Sequence, residues 1–402
     1  MYDLATALPN EVDIQLYLAT GAAHLIQRYG GASDFVSLEI WGTRLADLAN
    51  MSEWSRNSAI QLQTAMGAVN AILTYGEAGK FSSVEVWGDR LIDVVERPEW
   101  AGNSDIQLQL ARGVVNATLA YGDVGDIASL EIWGNRLVDL ANKPEWFQNA
   151  DIQLELARAS VNAISTFGKS IELGKTNSME IWCERLLYLA KRSEWTQDAD
   201  IQLRLAEGMY NAILAYGEAD DFVSMEIWGE RLLELASRSV WAGHAGLQLQ
   251  LARAAFNAVV LYGRSGRIGP FKVWGDRLVD LANKPEWSSN FAIQHELAGA
   301  SINAILVYGR SGDFTSLEIW GDRLVNLAKE PEWIGNADIQ LELAKGAFNA
   351  ITAYQKVNDT TCWKNWLEKL NSVVKRFPYS PQIREIASQT GINIPATLSE
   401  RL

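Results

Sequence analysis

The sequence predicts an all-α fold made of helical hairpins stacked side by side. Two series of tryptophans recur in steps of 46 residues, with a single step of 49, and a period of this length is typical of repeat proteins. Each repeat contains two stretches with apolar residues at helical spacing, and no alternating strand pattern separates them. Since one hairpin cannot bury its apolar residues alone, the hairpins are expected to stack into an elongated array. The two series are Trp41, Trp87, Trp133, Trp182, Trp228, Trp274, Trp320 and Trp366, and Trp54, Trp100, Trp146, Trp195, Trp241, Trp287 and Trp333.

The third repeat illustrates the two predicted helices. Helix A is expected over residues 105 to 122 and helix B over residues 129 to 141, where Asn142, Lys143 and Pro144 stop it. The amide of Asn103 precedes the first acidic residue of helix A and is predicted to cap its N-terminus. Asn149 and Asn336 stand at the same place in other repeats.

The predicted organisation has three parts. Residues 1–12 form a lead-in, interpreted as the remnant of a preceding helix, residues 13–376 hold the eight hairpins, and residues 377–402 form a capping helix from about Pro381 to Thr390 and a tail. The three extra residues of the fourth repeat fall between Lys169 and Asn177, in the loop between its helices.

Composition excludes several classes of protein. A net charge of −14 disfavours nucleic acid as a partner. The sequence has no apolar run long enough for a membrane span and no secretory signal, which favours a cytoplasmic location. Cys183 and Cys362 follow no disulfide or zinc spacing and are expected to be reduced. His24, His244 and His295 lie at three different places in the repeat, and repeats supply like groups at regular distances, so we expect no enzyme, no metal site and no cofactor.

The loop between the helices resembles the tetratricopeptide repeat. Residues 70–75 (NAILTY), followed by Gly79 and Phe81, match that family's small residues, closing Tyr and Gly-Asp-aromatic turn, and Tyr308 to Phe314 is a second clear copy. The period of 46 residues is longer than the family's, so this would be a long-repeat variant. The resemblance implies a right-handed α-α superhelix of about eight hairpins plus the capping helix, with A helices lining a concave groove.

An asparagine recurs in the middle of seven A helices, where its helix propensity is poor. In tetratricopeptide proteins that bind extended peptides, an asparagine at this place forms hydrogen bonds with the ligand backbone. The resemblance implies the same role for Asn70, Asn116, Asn162, Asn211, Asn257, Asn303 and Asn349.

A glutamine also recurs in all eight repeats, nine residues before the asparagine and therefore on the opposite side of the helix. One amide series is expected to form an internal ladder, and we assign the groove to asparagine. Gln109 and Gln250, seven residues before their asparagines, are expected to join the polar groove face. The recurring glutamines are Gln15, Gln61, Gln107, Gln153, Gln202, Gln248, Gln294 and Gln340.

Four cations lie one helical turn before the asparagines, at Arg112, Arg158, Arg253 and Lys345. They are candidates for binding carboxylates of a partner. The alternative is a solvated helix face with local ion pairs to residues such as Glu155. The sequence leaves both open.

The Trp-Gly pairs of helix B are interpreted as core, with the ring filling the space between repeats and the glycine, as at Gly42 and Gly88, leaving room for it. Glu39 and Arg44 flank the first of these tryptophans, and such residues are expected to pair across repeats.

The predicted function is a non-enzymatic adaptor or scaffold, monomeric by itself, that binds another protein or an extended peptide segment. The alternatives are a sensor or regulatory subunit that controls an effector supplied by another chain or domain, and a spacer without a ligand.

Overall fold

The computed structural model describes residues 11–169 and 176–390. The described residues form seventeen α-helices, one short 3₁₀ turn at Pro98–Trp100 and no strand. The all-α prediction is confirmed. Residues 1–10 of the lead-in, residues 170–175 of the predicted insertion and residues 391–402 of the tail lie outside the described residues.

Long and slightly shorter helices alternate along the chain. We call the odd-numbered helices α1 to α15 the A helices. They are α1 (Val12–Gly31), α3 (Ser58–Glu77), α5 (Ser104–Asp123), α7 (Ala150–Lys169), α9 (Ala199–Glu218), α11 (Ala245–Arg264), α13 (Phe291–Ser311) and α15 (Ala337–Lys356).

The even-numbered helices are the B helices, and a last helix follows them. They are α2 (Phe35–Asn50), α4 (Phe81–Val95), α6 (Ile127–Ala141), α8 (Thr176–Lys191), α10 (Phe222–Ser237), α12 (Ile268–Ala282), α14 (Phe314–Lys329) and α16 (Thr360–Arg376), and the last is α17 (Pro381–Gln389).

The chain divides into two compact units, residues 1–215 and 216–402, with the boundary inside α9. In the first unit α1 packs on α2 and α3, and α3 packs on α4 and α5. In the second unit α11, α13 and α15 pack in the same way, and α17 packs on α15 and α16. Within each unit the hairpins therefore stack, with A helices such as α3 and α13 contacting their own B helix and the neighbouring A helices.

The helix ends follow the predicted capping chemistry. The side-chain oxygen of Asn103 accepts a hydrogen bond from the Ile106 amide at 3.1 Å, and Asn149 and Asn336 cap their helices in the same way. Helix α6 ends at Ala141, directly before Asn142, Lys143 and Pro144.

The core between repeats is built by Trp-Gly contacts, as predicted. A methyl group added at Gly134 would come within 2.7 Å of the Trp182 ring of the next repeat. The ring of Trp133 is 1% exposed and lies against Gly88 in the same way. No helix in the described residues has both the length and the apolar character needed to cross a bilayer.

Candidate functional site

The recurring glutamines form the internal amide ladder. Gln107 is 2% exposed, and its amide nitrogen donates to the carbonyl oxygens of Val95 at 3.1 Å and Trp100 at 3.0 Å. The Val95 carbonyl lies at the C-terminal end of the preceding B helix, where helix geometry leaves it without an internal donor. The Trp100 carbonyl lies in the turn after it and also accepts from the Asn103 backbone amide at 3.0 Å. The same pair of bonds recurs at Gln61, Gln153, Gln202, Gln248, Gln294 and Gln340.

The recurring asparagines lie on the other side of the A helices. All seven, Asn70, Asn116, Asn162, Asn211, Asn257, Asn303 and Asn349, are partly exposed. The burial of glutamine confirms that one amide series is internal, and the partly exposed asparagines are the more accessible of the two series.

Hydrogen bonding differs along the asparagine series. The amide nitrogen of Asn116 donates to the Val69 carbonyl of the preceding A helix at 3.4 Å, and that of Asn303 donates to Gly299 of its own helix at 2.9 Å. Among the described residues, the side chains of Asn70, Asn162, Asn211 and Asn349 form no hydrogen bond. Four carboxamides therefore retain their donors and acceptors.

The four candidate cations are exposed and also take part in ion pairs. Arg112 and Arg158 both face Glu155, at 3.8 Å and 2.9 Å, and the Glu155 side chain is only 6% exposed. Arg253 lies 3.8 Å from Glu296, and Lys345 lies 2.8 Å from Glu342. Burial raises the pKa of Glu296, and the neighbouring Arg253 opposes that rise. Local ion pairs, the alternative to binding carboxylates of a partner, are therefore present at all four positions.

The prediction that Gln109 and Gln250 line an open groove is wrong. They are 6% and 7% exposed, and their helices α5 and α11 pack against neighbouring A helices. At the equivalent place in α7, the nearly buried Glu155 receives Arg112 from α5. The accessible polar face is therefore narrower than the sequence suggested.

An apolar series next to the asparagines was missed by the sequence reasoning. Leu73 and Leu119, three residues after Asn70 and Asn116, are 36% and 45% exposed. Leu214, Val260 and Leu306 occupy the equivalent positions. Its signal in the sequence is an apolar residue three positions after most of the asparagines, interrupted at Ser165 and Thr352. Residues three apart share a helix face, so each of these side chains lies beside an asparagine.

A cleft of about 210 Å³ opens at the asparagine of the last A helix. Leu306 and Phe348 supply apolar walls, Asn349 supplies the amide, and Arg310 and Lys356 supply two cations at the C-terminal ends of their helices. Among the described residues, neither cation forms an ion pair. The cleft combines the groups that bind a polar backbone carrying apolar and acidic side chains.

The glutamates two residues before the core tryptophans join successive repeats. Glu39 accepts hydrogen bonds from the Tyr75 hydroxyl at 2.6 Å and the Trp87 indole at 2.9 Å, and Arg90 lies 3.7 Å away. Burial, and then the hydrogen bond to Glu39, raise the pKa of Tyr75. The expectation of pairing across repeats holds for Glu39 and Arg90, although the main partners of Glu39 are Tyr and Trp.

The cation three residues after each core tryptophan, an arginine except at Lys369, lies on the ring of that tryptophan. The Arg44 guanidinium is 4.7 Å from the centre of Trp41 and that of Arg231 is 4.3 Å from Trp228. Within the described residues, no group of three or more His, Cys, Asp or Glu side chains is arranged to hold a metal ion.

The comparisons identify a shared fold. No protein-family model matches the sequence, and no curated protein matches it. The chain is similar to an engineered protein of known crystal structure, with a TM-score of 0.53, 19% identity, and coverage of 94% of this chain and 83% of that chain. At this identity the likeness concerns the helical architecture alone, and the tetratricopeptide resemblance stays a prediction.

Proposed function

We propose that this protein is a non-enzymatic scaffold or adaptor that binds an extended peptide segment of another protein along its A helices. The proposal takes the hairpins as a right-handed, tetratricopeptide-like superhelix with the A helices on its concave side. The observation that carries it is the half-exposed asparagine series, four of whose side chains have no internal hydrogen bond.

The chemistry of the asparagine face fits a peptide backbone. A carboxamide offers two donors and one acceptor, so it pairs with a peptide unit without reading the side chain. Exposed apolar residues such as Leu73 and Leu119 lie beside the amides and can pack against alternate side chains of an extended ligand. Binding of this kind tolerates many ligand sequences.

The second unit adds a preference for acidic ligands. Arg310 and Lys356 line the cleft that contains Asn349. An acidic side chain of the ligand would find two unpaired cations there, and salt would weaken that interaction.

The proposal is tested with peptides selected on the intact chain from a display library and measured by fluorescence anisotropy. Asn162→Ala combined with Asn211→Ala should weaken binding roughly tenfold or more, because each lost hydrogen bond is worth about 1 kcal/mol. The melting temperature should stay nearly unchanged, because neither side chain has an internal hydrogen bond.

The matched control is Asn135→Ala on helix α6, where the asparagine accepts from Arg185 at 3.2 Å on an exposed surface. Its peptide affinity should equal that of the unmodified chain. Unchanged affinity in the double variant, or a large loss of its stability, would reject the asparagine face as the binding site.

A further inference from the structure

A cleft of about 380 Å³ lies in the second unit, away from the asparagine face. It is enclosed by the C-terminal ends of α12 and α14, the turn after each of them and the first half of α13. Apolar side chains such as Leu297 and Trp333 line it together with polar groups. The polar lining includes Gln294, Ser288, Arg323, Glu330 and Glu332.

At two equivalent junctions between repeats, a guanidinium reaches the side-chain oxygen of the recurring glutamine. The guanidinium of Arg97 donates to the side-chain oxygen of Gln61 at 3.4 Å, and that of Arg192 donates to Gln153 at 3.5 Å. Arg192 also donates to the Phe147 carbonyl at 2.5 Å and is 9% exposed. In successive repeats the residues at this position are Met51, Arg97, Lys143, Arg192, Arg238, Lys284, Glu330 and Arg376.

The seventh repeat replaces the cation with Glu330. Gln294 is 4% exposed, and its amide nitrogen donates to the carbonyl oxygens of Ala282 at 2.8 Å and Trp287 at 3.1 Å. Among the described residues, no donor reaches its side-chain oxygen. An acceptor without a protein donor therefore lines the cleft, at the place where Arg97 and Arg192 donate in two other repeats.

The charges around the cleft favour a cation. Glu330 and Glu332 are exposed at its mouth, and neither forms an ion pair among the described residues. Arg323 is the lining cation, but it stacks on Trp320 at 4.5 Å and lies 3.9 Å from Asp276. One of its nitrogens is buried without a hydrogen bond, which also holds for Arg90 and Arg277 in other repeats and is not particular to this cleft. The cleft is thus lined by two carboxylates without ion pairs, Glu330 and Glu332, and by one arginine that already contacts Trp320 and Asp276.

We propose that this cleft binds an arginine side chain of a partner protein, which supplies the guanidinium that the seventh repeat lacks. The planar guanidinium donates to Gln294, to the carbonyl of Ser288, which is equivalent to Phe147, and to the two carboxylates. Lysine fits less well, because its ammonium is a compact point charge without the fork of donors. The site uses none of the seven recurring asparagines of the A helices, so its test is independent of the proposed function.

The chain contains a matched cleft that has its own cation. A cleft of about 410 Å³ lies at the junction of the second and third repeats, lined by Gln107, Arg136 and Lys143. Glu96 and Asp139 balance the two cations there. This cleft has nearly the same volume but no excess of carboxylates, so it should not take an arginine.

The test is an NMR titration of the intact chain with the end-blocked tripeptides Gly-Arg-Gly and Gly-Lys-Gly and with free arginine. The arginine tripeptide should shift the Gln294 side-chain amide and the Trp333 indole, with an affinity at least severalfold above that for the lysine tripeptide. Free arginine, which carries its own carboxylate, should bind more weakly than the tripeptide. Tighter binding of free arginine would overturn the assignment to a protein partner.

Two variants separate the site from non-specific attraction to an acidic protein. Glu330→Arg supplies the cation internally and should abolish the shifts at Gln294 while raising the melting temperature. Glu330→Gln should weaken binding severalfold with little effect on stability. Shifts at Gln294 that persist in Glu330→Arg, or equal shifts at the Gln107 cleft, would overturn the proposal.

Discussion

At the scale of single residues, the Trp-Gly contact limits how closely successive B helices pack. At six glycines of the B helices, the ring of the next repeat's tryptophan occupies the space where a side chain would otherwise stand. At Gly88 even a methyl group would overlap the outer edge of the Trp133 ring. Protein interiors are packed densely enough that such an overlap forces a ring or a helix to move.

We therefore expect Gly88→Ala to destabilise the chain by about 1–3 kcal/mol, the usual cost of overpacking a core. Urea unfolding followed by tryptophan fluorescence measures the change. The matched control is Gly21→Ala in helix α1, where an added methyl meets nothing within 4 Å. That variant should gain up to about 1 kcal/mol from helix propensity. Equal effects of the two substitutions would show that the tryptophan contact does not limit the spacing.

At the scale of elements, a left-handed residue closes most A helices. Gly79, Gly125, Gly266 and Gly312 all have positive φ angles, between 68° and 77°. Ser33, Asp220 and Asn358 occupy the equivalent positions with φ angles of 58° or 59°. A side chain in this region is strained, most clearly for serine, whereas glycine is not.

Ser33→Gly should therefore stabilise the chain by about 1 kcal/mol, because it removes the strain of a left-handed serine. The reverse substitution at the equivalent turn, Gly79→Ser, should lose a similar amount. Both are measured as shifts in the midpoint of urea unfolding. A loss of stability in Ser33→Gly would mean that the serine side chain contributes more than its backbone strain costs.

The buried glutamines act at the same scale by joining elements. From Gln61 to Gln340, each donates to a carbonyl at the end of the preceding B helix and to one in the turn after it, as Gln107 does with Val95 and Trp100. This links consecutive hairpins through hydrogen bonds as well as through apolar packing. The cleft at Glu330 is the junction where this arrangement loses its usual cation.

At the scale of the whole molecule, a buried tyrosine paired with a glutamate of the neighbouring hairpin occurs in both units. Tyr75, Tyr121, Tyr262 and Tyr354 each donate to a glutamate. Burial first, and the glutamate second, raise the pKa of all four hydroxyls above the ordinary value of 10.0. In the repeat where Lys272 replaces the glutamate, burial and neighbouring carboxylates still raise the pKa of Tyr308.

Stability should consequently fall in alkaline solution. The unfolded chain loses tyrosine protons at about pH 10, whereas the folded chain retains them, so the contribution of these tyrosines is complete below that pH and is lost as the pH rises further. Unfolding in urea at a series of pH values from about 9 to 12 measures the slope. Tyr75→Phe removes one such group and should make the slope shallower. An unchanged slope in this variant would contradict the role assigned to Tyr75.

The sequence by itself determined the repeat, the order of the helices, their caps and the tryptophan core. These features depend on local propensity and on residue types that recur at the same positions of successive repeats, such as the capping Asn103 and the Trp-Gly pairs. It also predicted that one amide series is internal, because nine residues turn a helix through half a revolution beyond two full turns.

Only the tertiary structure decided which amide series is buried, why Gln109 is covered, and where Glu39 finds its partners. Each of these outcomes depends on a side chain from another helix, such as Trp87, which is 48 residues from Glu39 in sequence. The same holds for the cleft at Glu330, because a single replaced cation matters only where Gln294 lies beside it. Spacing along one helix fixes the direction of a side chain, but the neighbour that it meets is fixed by packing between repeats.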